Sequence, residues 1–313
     1  MTLHTSLPWF LSHNAIEVAS QRSCPPLIAP HVESFLTRGY AVIPNSISGA
    51  LCDSLVARFR AFETAHAGKL APFRDAHGHY PRLVNLHLAL PELFSSFAEN
   101  PQALALQDFL FDGETCLYTS LFYERGSAQA LHRDTPYFCT RPEYRYFGMW
   151  VALEDVDEDN GPLMVMEGGH LLGELDRPAI AREILGAGVP IPSSSDALWN
   201  AYQTRVTQRG EALDLRVKTL PVSKGTTILW HPQLPHGGAP IRDPARSRLS
   251  FVMHTTPEHT PVYHQHVFFA PQEPFPERAP WAYVTQSGRK YARHALVSFN
   301  HAIDYDPREL MVA

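Results

Sequence analysis

Apolar and polar positions follow one period in the first third of the chain and another in the rest. In "SISGALCDSLVARFRAFETAHAG", Leu51, Leu55, Val56, Phe59 and Phe62 form one stripe, which predicts a helix with Gly68 near its end. "HVESFLTRGYAVIPN" predicts a short helix stopped at Gly39, followed by the strand "YAVIP". A further helix is expected around "ENPQALALQDFLF", with Pro101 in its first turn, where a missing N–H does no harm. From about Cys116 the pattern changes to short β-rich runs: "CLYTSLFYE", "ALHRDTPYF", "YFGMWVALED", "PLMVMEGG", "LRVKTLPV", "TTILWHP" and "RLSFVMHTT". Turn signals such as "DEDNGP", "SKGT" and "HGGAP" separate them, and short strands at this spacing predict a sandwich or barrel rather than a parallel α/β sheet.

The pattern gives a single domain over 31–313, mainly β with flanking α, its N-terminal helices packed on a β-sandwich core. Residues 1–30 end in the proline-rich "CPPLIAP" and read as an N-terminal arm. An insertion at about 171–213, part helical and part Pro/Ser loop, interrupts the strands and reads as a lid or substrate-selecting element.

Composition narrows the function classes. With 44% hydrophobic and 19% charged residues in 313, a sizeable core is available. A formal net charge of −6 argues against nucleic acid as the partner. No apolar run approaches the roughly 18 residues needed to cross a bilayer, and the first twenty residues lack a secretory pattern. Four scattered cysteines without a CxxC pair read as reduced thiols of a cytoplasmic protein.

Seventeen histidines are too many to be ligands, so position must select among them. In "LHRDTPYF", His132 and Asp134 are two apart and on a strand would project from one face. His236 opens "HGG", where glycines allow a tight bend, and Arg246 and Arg248 follow two apart on the expected return strand. Two imidazoles, one carboxylate and a nearby guanidinium are the arrangement of a facial iron(II) site with an anion anchor. Three coordination positions would stay free for a bidentate keto acid such as 2-oxoglutarate and for O2. The keto acid's distal carboxylate would meet an arginine fork. His231 and His254 compete with His236; the first reads as a strand-end cap and the second lies beyond the arginines.

These pieces, in this order, resemble the phytanoyl-CoA dioxygenase family of iron(II)- and 2-oxoglutarate-dependent oxygenases, which also includes ectoine hydroxylase. The matching stretches are "RGYAVIPNSIS", "LHRDTPYF", "MWVALEDVDEDNGPLMVMEGGH" and "LWHPQLPHGGAPIRDPARSRLSF". They fall within roughly 31–256 and leave the arm, insertion and tail unmatched. The resemblance implies a double-stranded β-helix (a jelly-roll, cupin-like barrel) with His132, Asp134 and His236 as iron ligands. It implies that Arg246, with Arg248 as the alternative, anchors 2-oxoglutarate, and that Trp150 lines the co-substrate pocket. It also implies hydroxylation of an unactivated carbon with release of succinate and CO2. Asp134 disfavours halogenation, for which relatives leave the carboxylate position to a small residue. Two departures stand out: "EGGH" replaces the usual Pro-Gly-Ser-His, and Gly238 replaces a serine, removing one hydroxyl expected near the co-substrate.

Plainer readings accompany these. Trp150 in "FGMWVAL" also suits a core; His264 and His266 in "YHQHVFF" read as exposed tail histidines; "DVDEDNG" reads as a solvated acidic turn. Arg125, Arg133, Arg141 and Arg145 would suit an anionic or polar small-molecule substrate at the pocket mouth, or simply surface solvation. The rival functions are a cupin-like metalloenzyme not using 2-oxoglutarate and a non-catalytic small-molecule-binding barrel. The sequence leaves substrate and oligomeric state open.

Overall fold

Strands that are apolar on both faces need cover on both, and here helices supply one side and a second sheet the other. The computed structural model describes residues 7–80 and 82–311. Nine strands build the site: β1 (Tyr40–Ile43), β2 (Leu83–Val84), β3 (Thr115–Tyr123), β4 (Phe147–Ala152), β5 (Leu163–Met166), β6 (Val217–Leu220), β7 (Thr227–Trp230), β8 (His236–Gly238) and β9 (Ser250–Pro257). The large sheet runs β1-β7-β4-β9-β3-β2 and continues into Val297–Phe299 and Ile303–Tyr305, while β6-β5-β8 form a separate sheet. Neighbours along both paths are antiparallel.

Register sorts the side chains. Trp150 lies between Ile228 and Val252, and Trp230 opposite Gly148. The residues between them (Met149, Val151, Leu229, Phe251 and Met253) join the core beneath α1 (Ala29–Arg38), α2 (Gly49–Ala65) and α3 (Pro101–Phe111). On the opposite face Trp150, Trp230 and Val252 look across a cavity of about 750 Å³ at Leu163, His236 and Gly237 of the small sheet. Two antiparallel sheets closed around a cavity make the expected jelly-roll.

Local chemistry sets the helix ends. The Ser48 hydroxyl accepts from Leu51 N–H and the Asn100 side chain from Ala103 N–H, capping α2 and α3. Gly39 ends α1 at φ +88°, and a Cβ there would lie 2.6 Å from His170 Nδ1, so both conformation and space require glycine. The described part of the segment expected to be an arm, residues 7–30, is packed instead: Phe10 meets Phe35, Phe147 and His231 at 6.1, 5.3 and 5.6 Å, and Ile28 is fully buried. Aromatic burial outweighs the proline punctuation in its sequence. The insertion folds as α4 (Arg177–Leu185) and α5 (Asp196–Glu211). All four cysteines are free thiols, and burial pushes Cys52 up to about 11 and Cys116 up to about 12. Among the described residues no helix is long and apolar enough to cross a membrane.

Buried neutral histidines give the fold an acid liability. Burial pulls His170 down to about 4, against a raising hydrogen bond to Leu36 O, and His87 down to about 3. Both stay neutral when folded yet titrate near 6.5 unfolded, so the unfolded chain binds more protons below that pH. Their stabilising effect is complete above pH 6.5 and declines as pH falls toward 4 and 3, by about 1.4 kcal/mol per pH unit per group. The urea midpoint is therefore expected to drop steeply from pH 7 to pH 5. His170→Gln keeps a donor for Leu36 O without the titration, and should remove about one proton from that dependence. An unchanged slope in this variant would contradict the assignment.

Candidate metal centre

His132 and His236 face each other in an isolated antiparallel bridge, each N–H donating to the other's carbonyl at 2.8 and 3.0 Å. Directly opposite residues share a face, so both imidazoles project into the cavity. "ALHRDTPYF" is not the strand expected. Beyond the bridge the chain turns, with Tyr137 and Phe138 N–H donating to Asp134 O at 2.9 and 3.1 Å, and this turn carries the carboxylate back to the two rings. One ligand atom from each of His132, Asp134 and His236 lies within 4.8 Å of the others, the only such group of three among the described residues.

The hydrogen bonds fix what these atoms are. His132 Nδ1 donates to Ala130 O at 2.8 Å and His236 Nδ1 to Leu234 O at 3.0 Å, since a carbonyl can only accept. In the neutral rings both Nε2 atoms therefore carry lone pairs. They face Asp134 Oδ1 at 3.4 Å and Oδ2 at 3.3 Å, acceptor against acceptor. A cation between them turns this repulsion into coordination, and backbone carbonyls holding the far nitrogens are the usual support of metal-binding histidines. Burial alone would raise the Asp134 carboxyl, but without a metal, protons that His236, His132 and His254 direct at it hold it well below the usual carboxylate range, so a positive charge belongs at this point whether proton or cation carries it. Two imidazoles and one carboxylate suit a divalent first-row ion with open positions.

The insertion clamps this loop. Gln203 of α5 accepts from Arg133 N–H at 2.9 Å and donates to Arg133 O at 2.8 Å, bracketing the residue between two ligands. The Arg133 side chain points away from the cavity and, fully buried, donates to Gly169 O and Gly173 O at 2.9 and 3.1 Å. The same insertion gives the cavity Ser194, Asp196 and Trp199, with Trp199 5.0 Å from the Tyr137 ring. It is thus wall and clamp together.

The two arginines part company. The chain turns through Asp243–Ser247 before β9 begins, so Arg246 is not on a strand face with Arg248. Arg246 is 38% exposed and binds Asp157 at 2.9 and 3.0 Å, an ordinary surface ion pair. Arg248 is 3% exposed and lines the cavity, its guanidinium 5.6 Å over the Trp150 ring and one Nη donating to Gly161 O at 2.9 Å. Glu154 fixes its approach by accepting from Ser247 Oγ and Leu249 N–H at 2.9 and 2.6 Å. Burial brings Arg248 down to about 10, with Tyr123 and Glu154 opposing. Among the described residues no carboxylate lies within ion-pair distance of it, and its Nε and Trp150 Nε1 are buried without partners. The preference for Arg246 as anchor is corrected on this geometry: the cavity receives Arg248.

Other expectations change as well. Gly237 and Gly238 do not bend around a ligand; a Cβ on them would meet Gln129 O at 2.4 Å and Ser127 Oγ at 2.5 Å. They are glycines because residues 127–130 pack on β8. Ser127 lines the cavity, so a hydroxyl stands beside the position where Gly238 lacks one. Arg125, Arg133, Arg141 and Arg145 do not line the cavity; they bind Asp75, the backbone of the insertion, Glu143 and Phe111 O. His264 is no exposed tail residue but a lining residue ahead of the buried turn Gln265–Phe268, and the tail adds His294 and His301. His231 is buried; its Nδ1 accepts from Gln233 N–H at 3.1 Å. His254, beyond the arginines in sequence, is on the face of Arg248 and Val252 by strand alternation, and its Nε2 lies 3.1 Å from Asp134 Oδ2.

Comparison with known proteins agrees with this construction. The family model for phytanoyl-CoA dioxygenase (PhyH) matches residues 35–249. Phytanoyl-CoA dioxygenase domain-containing protein 1 of Mus musculus is 28% identical over 148 residues, 46% of this chain and 46% of that protein. The peroxisomal phytanoyl-CoA dioxygenase of Bos taurus is 29% identical over 114 residues, 36% of this chain and 29% of that one. The chain thus spans under half the length of the curated relatives it matches. Among solved structures, the non-heme α-ketoglutarate-dependent carbocyclase SnoK from nogalamycin biosynthesis superposes with TM-score 0.56 at 15% identity, over 79% of this chain and 91% of that one. EctD from S. alaskensis, with 2-oxoglutarate and 5-hydroxyectoine, gives 0.54 at 17%, over 75% and 78%. Both likenesses concern the fold. The family match covers more than two thirds of the sequence and includes both histidines, the aspartate and both arginines, and on that basis the chain belongs to the phytanoyl-CoA dioxygenase family of iron(II)- and 2-oxoglutarate-dependent oxygenases.

Proposed function

We propose that this protein uses iron(II), 2-oxoglutarate and O2 to hydroxylate an unactivated carbon of a small metabolite or biosynthetic intermediate. The observation that carries the reading is one cavity holding two lone-pair-bearing imidazoles against a carboxylate, together with a buried arginine that has no carboxylate partner among the described residues. His132, Asp134 and His236 would hold the metal. Arg248 would pair with the distal carboxylate of 2-oxoglutarate, beside Trp150 and within reach of Ser127. When bound, iron and co-substrate together supply dioxygen activation, with 2-oxoglutarate and O2 ending as succinate, CO2 and the oxygen atom inserted into the substrate C–H bond.

The chain's own task is placement. Carbonyl-fixed tautomers keep both ligand nitrogens unprotonated at Nε2, and the Gln203 clamp holds the ligand loop. Tyr118, Tyr137, Phe138 and Trp199 give the substrate side flat apolar walls, while Asn85, Asp196 and His294 offer polar contacts. A cavity of about 750 Å³ suits a small molecule.

Anaerobic addition of iron(II) and 2-oxoglutarate is expected to give a weak visible charge-transfer band. Admission of O2 with a metabolite panel should give succinate in step with one oxidised product. A metal-loaded protein showing neither band nor succinate would overturn the proposal. Turnover with metal but without 2-oxoglutarate would favour the cupin-like alternative.

A further inference from the structure

His254 stands beside the metal ligands without being one of the three convergent groups. It sits on β9 between Gly148 of β4 and Thr119 of β3, and is 4% exposed. Its ring lies flat on Phe138, centroids 3.8 Å apart at 12°, and edge-on to Trp230 at 6.5 Å. That packing leaves the ring in one plane and aims Nε2 at Asp134 Oδ2, 3.1 Å away. Opposite it, Gly148 leaves room for Trp230; a Cβ there would come within 1.9 Å of the indole.

The hydrogen bonds separate the three imidazoles around Asp134 into two kinds. His132 and His236 donate through Nδ1 to backbone carbonyls and keep Nε2 bare. Among the described residues His254 has no such carbonyl: its Nδ1 is buried without a partner there, and its Nε2 faces a carboxylate oxygen, which can only accept. The proton of the neutral ring therefore belongs on Nε2, the reverse of the other two. A nitrogen that carries a proton toward the carboxylate cannot ligate.

We propose that His254 is a positioning residue for the metal carboxylate. Its Nε2–H engages Asp134 Oδ2, directing Oδ1 to the metal, so that the carboxylate binds through one oxygen and does not close a chelate over a position that O2 or 2-oxoglutarate must use. Phe138 serves as the surface that fixes the angle of the donor. The inference rests on the metal-centre reading but concerns only how the carboxylate is held.

The test uses metal binding rather than turnover. Cobalt(II) is titrated anaerobically into the full-length protein and followed by its d–d absorption, for wild type, His254→Phe and His254→Gln. Phenylalanine keeps the ring stacked on Phe138 but has no donor. Glutamine loses the ring but can place an N–H near the Nε2 position, and also serves if the phenylalanine variant does not fold. Wild type is expected to give the spectrum of a six-coordinate ion. His254→Phe should bind cobalt about 10- to 100-fold more weakly with an altered spectrum, and His254→Gln should recover most of the affinity and the original band shape. Wild-type affinity and spectrum in both variants would show that the ring only packs, and complete loss in both would make it a ligand; either overturns the proposal. Failure of the wild type itself to bind cobalt would instead strike the metal-centre reading.

Discussion

Asp134→Ala is expected to abolish the charge-transfer band and to lower metal affinity by at least about 100-fold, beyond the range for losing a supporting hydrogen bond. The carboxylate is the one anion in the donor set; without it two neutral imidazoles must hold a divalent ion alone. The loss reads directly in melting curves. A metal at a hundredfold excess over its Kd stabilises the wild type by about 2.7 kcal/mol, and the variant should gain nothing at the same concentration. Alanine also removes the acceptor of the His254 N–H, so the metal-free variant should lose about 1–3 kcal/mol for a buried donor left unmade. Asp134→Asn separates the two effects: its carbonyl can still accept from His254, so metal-free stability is largely retained while metal binding is lost. A band that survives Asp134→Ala would mean the carboxylate is not a ligand.

What the sequence made legible follows the range over which each feature is determined. Helices came from apolar stripes spanning a few turns, and the structure keeps them, with Cys52, Leu55, Phe59 and Phe62 buried along α2. The histidines and the aspartate came from short motifs whose spacing survives any reading of the loops between. Parity then misled in one place and could have helped in another. The two-residue spacing predicts one strand face for Arg246 and Arg248, but Asp243 accepts from Ala245 N–H through its side chain and from Arg246 N–H through its carbonyl, making a turn that sends Arg246 outward. The same alternation, begun at Arg248, runs through Val252 to His254, so the third imidazole was within reach of the pattern. The Gln203 clamp was not, because it joins residues 70 positions apart through one face of an inserted helix. Nor was the reason for Gly237 and Gly238, which lies in the neighbouring backbone and not in their own conformation.

Arg248→Met should weaken 2-oxoglutarate binding by about 100-fold or more and leave metal affinity unchanged, whereas Arg246→Met should change both by less than about threefold. The contrast rests on solvent. Removing one member of a buried, hydrogen-bonded charge pair costs about 2–5 kcal/mol, the lower part of which already gives a hundredfold. An exposed pair such as Arg246–Asp157 contributes about 0–1 kcal/mol and has no bearing on the cavity. Arg248→Lys should fall between, since a point charge on a flexible stem keeps the attraction but loses the fork that matches a carboxylate. Metal-free stability supplies a check that activity cannot. Without an anion, the buried guanidinium has only Gly161 O and two ring faces as partners among the described residues, and an uncompensated buried charge opposes folding. Arg248→Met should therefore melt no lower than wild type when ligand-free, and lose the stabilisation that 2-oxoglutarate gives the wild type with metal bound. A residue kept for the fold would show the opposite order: lower melting throughout, with co-substrate affinity intact. Charge-transfer titration of the three variants, paired with their ligand-free melting curves, distinguishes an anion anchor from a structural arginine.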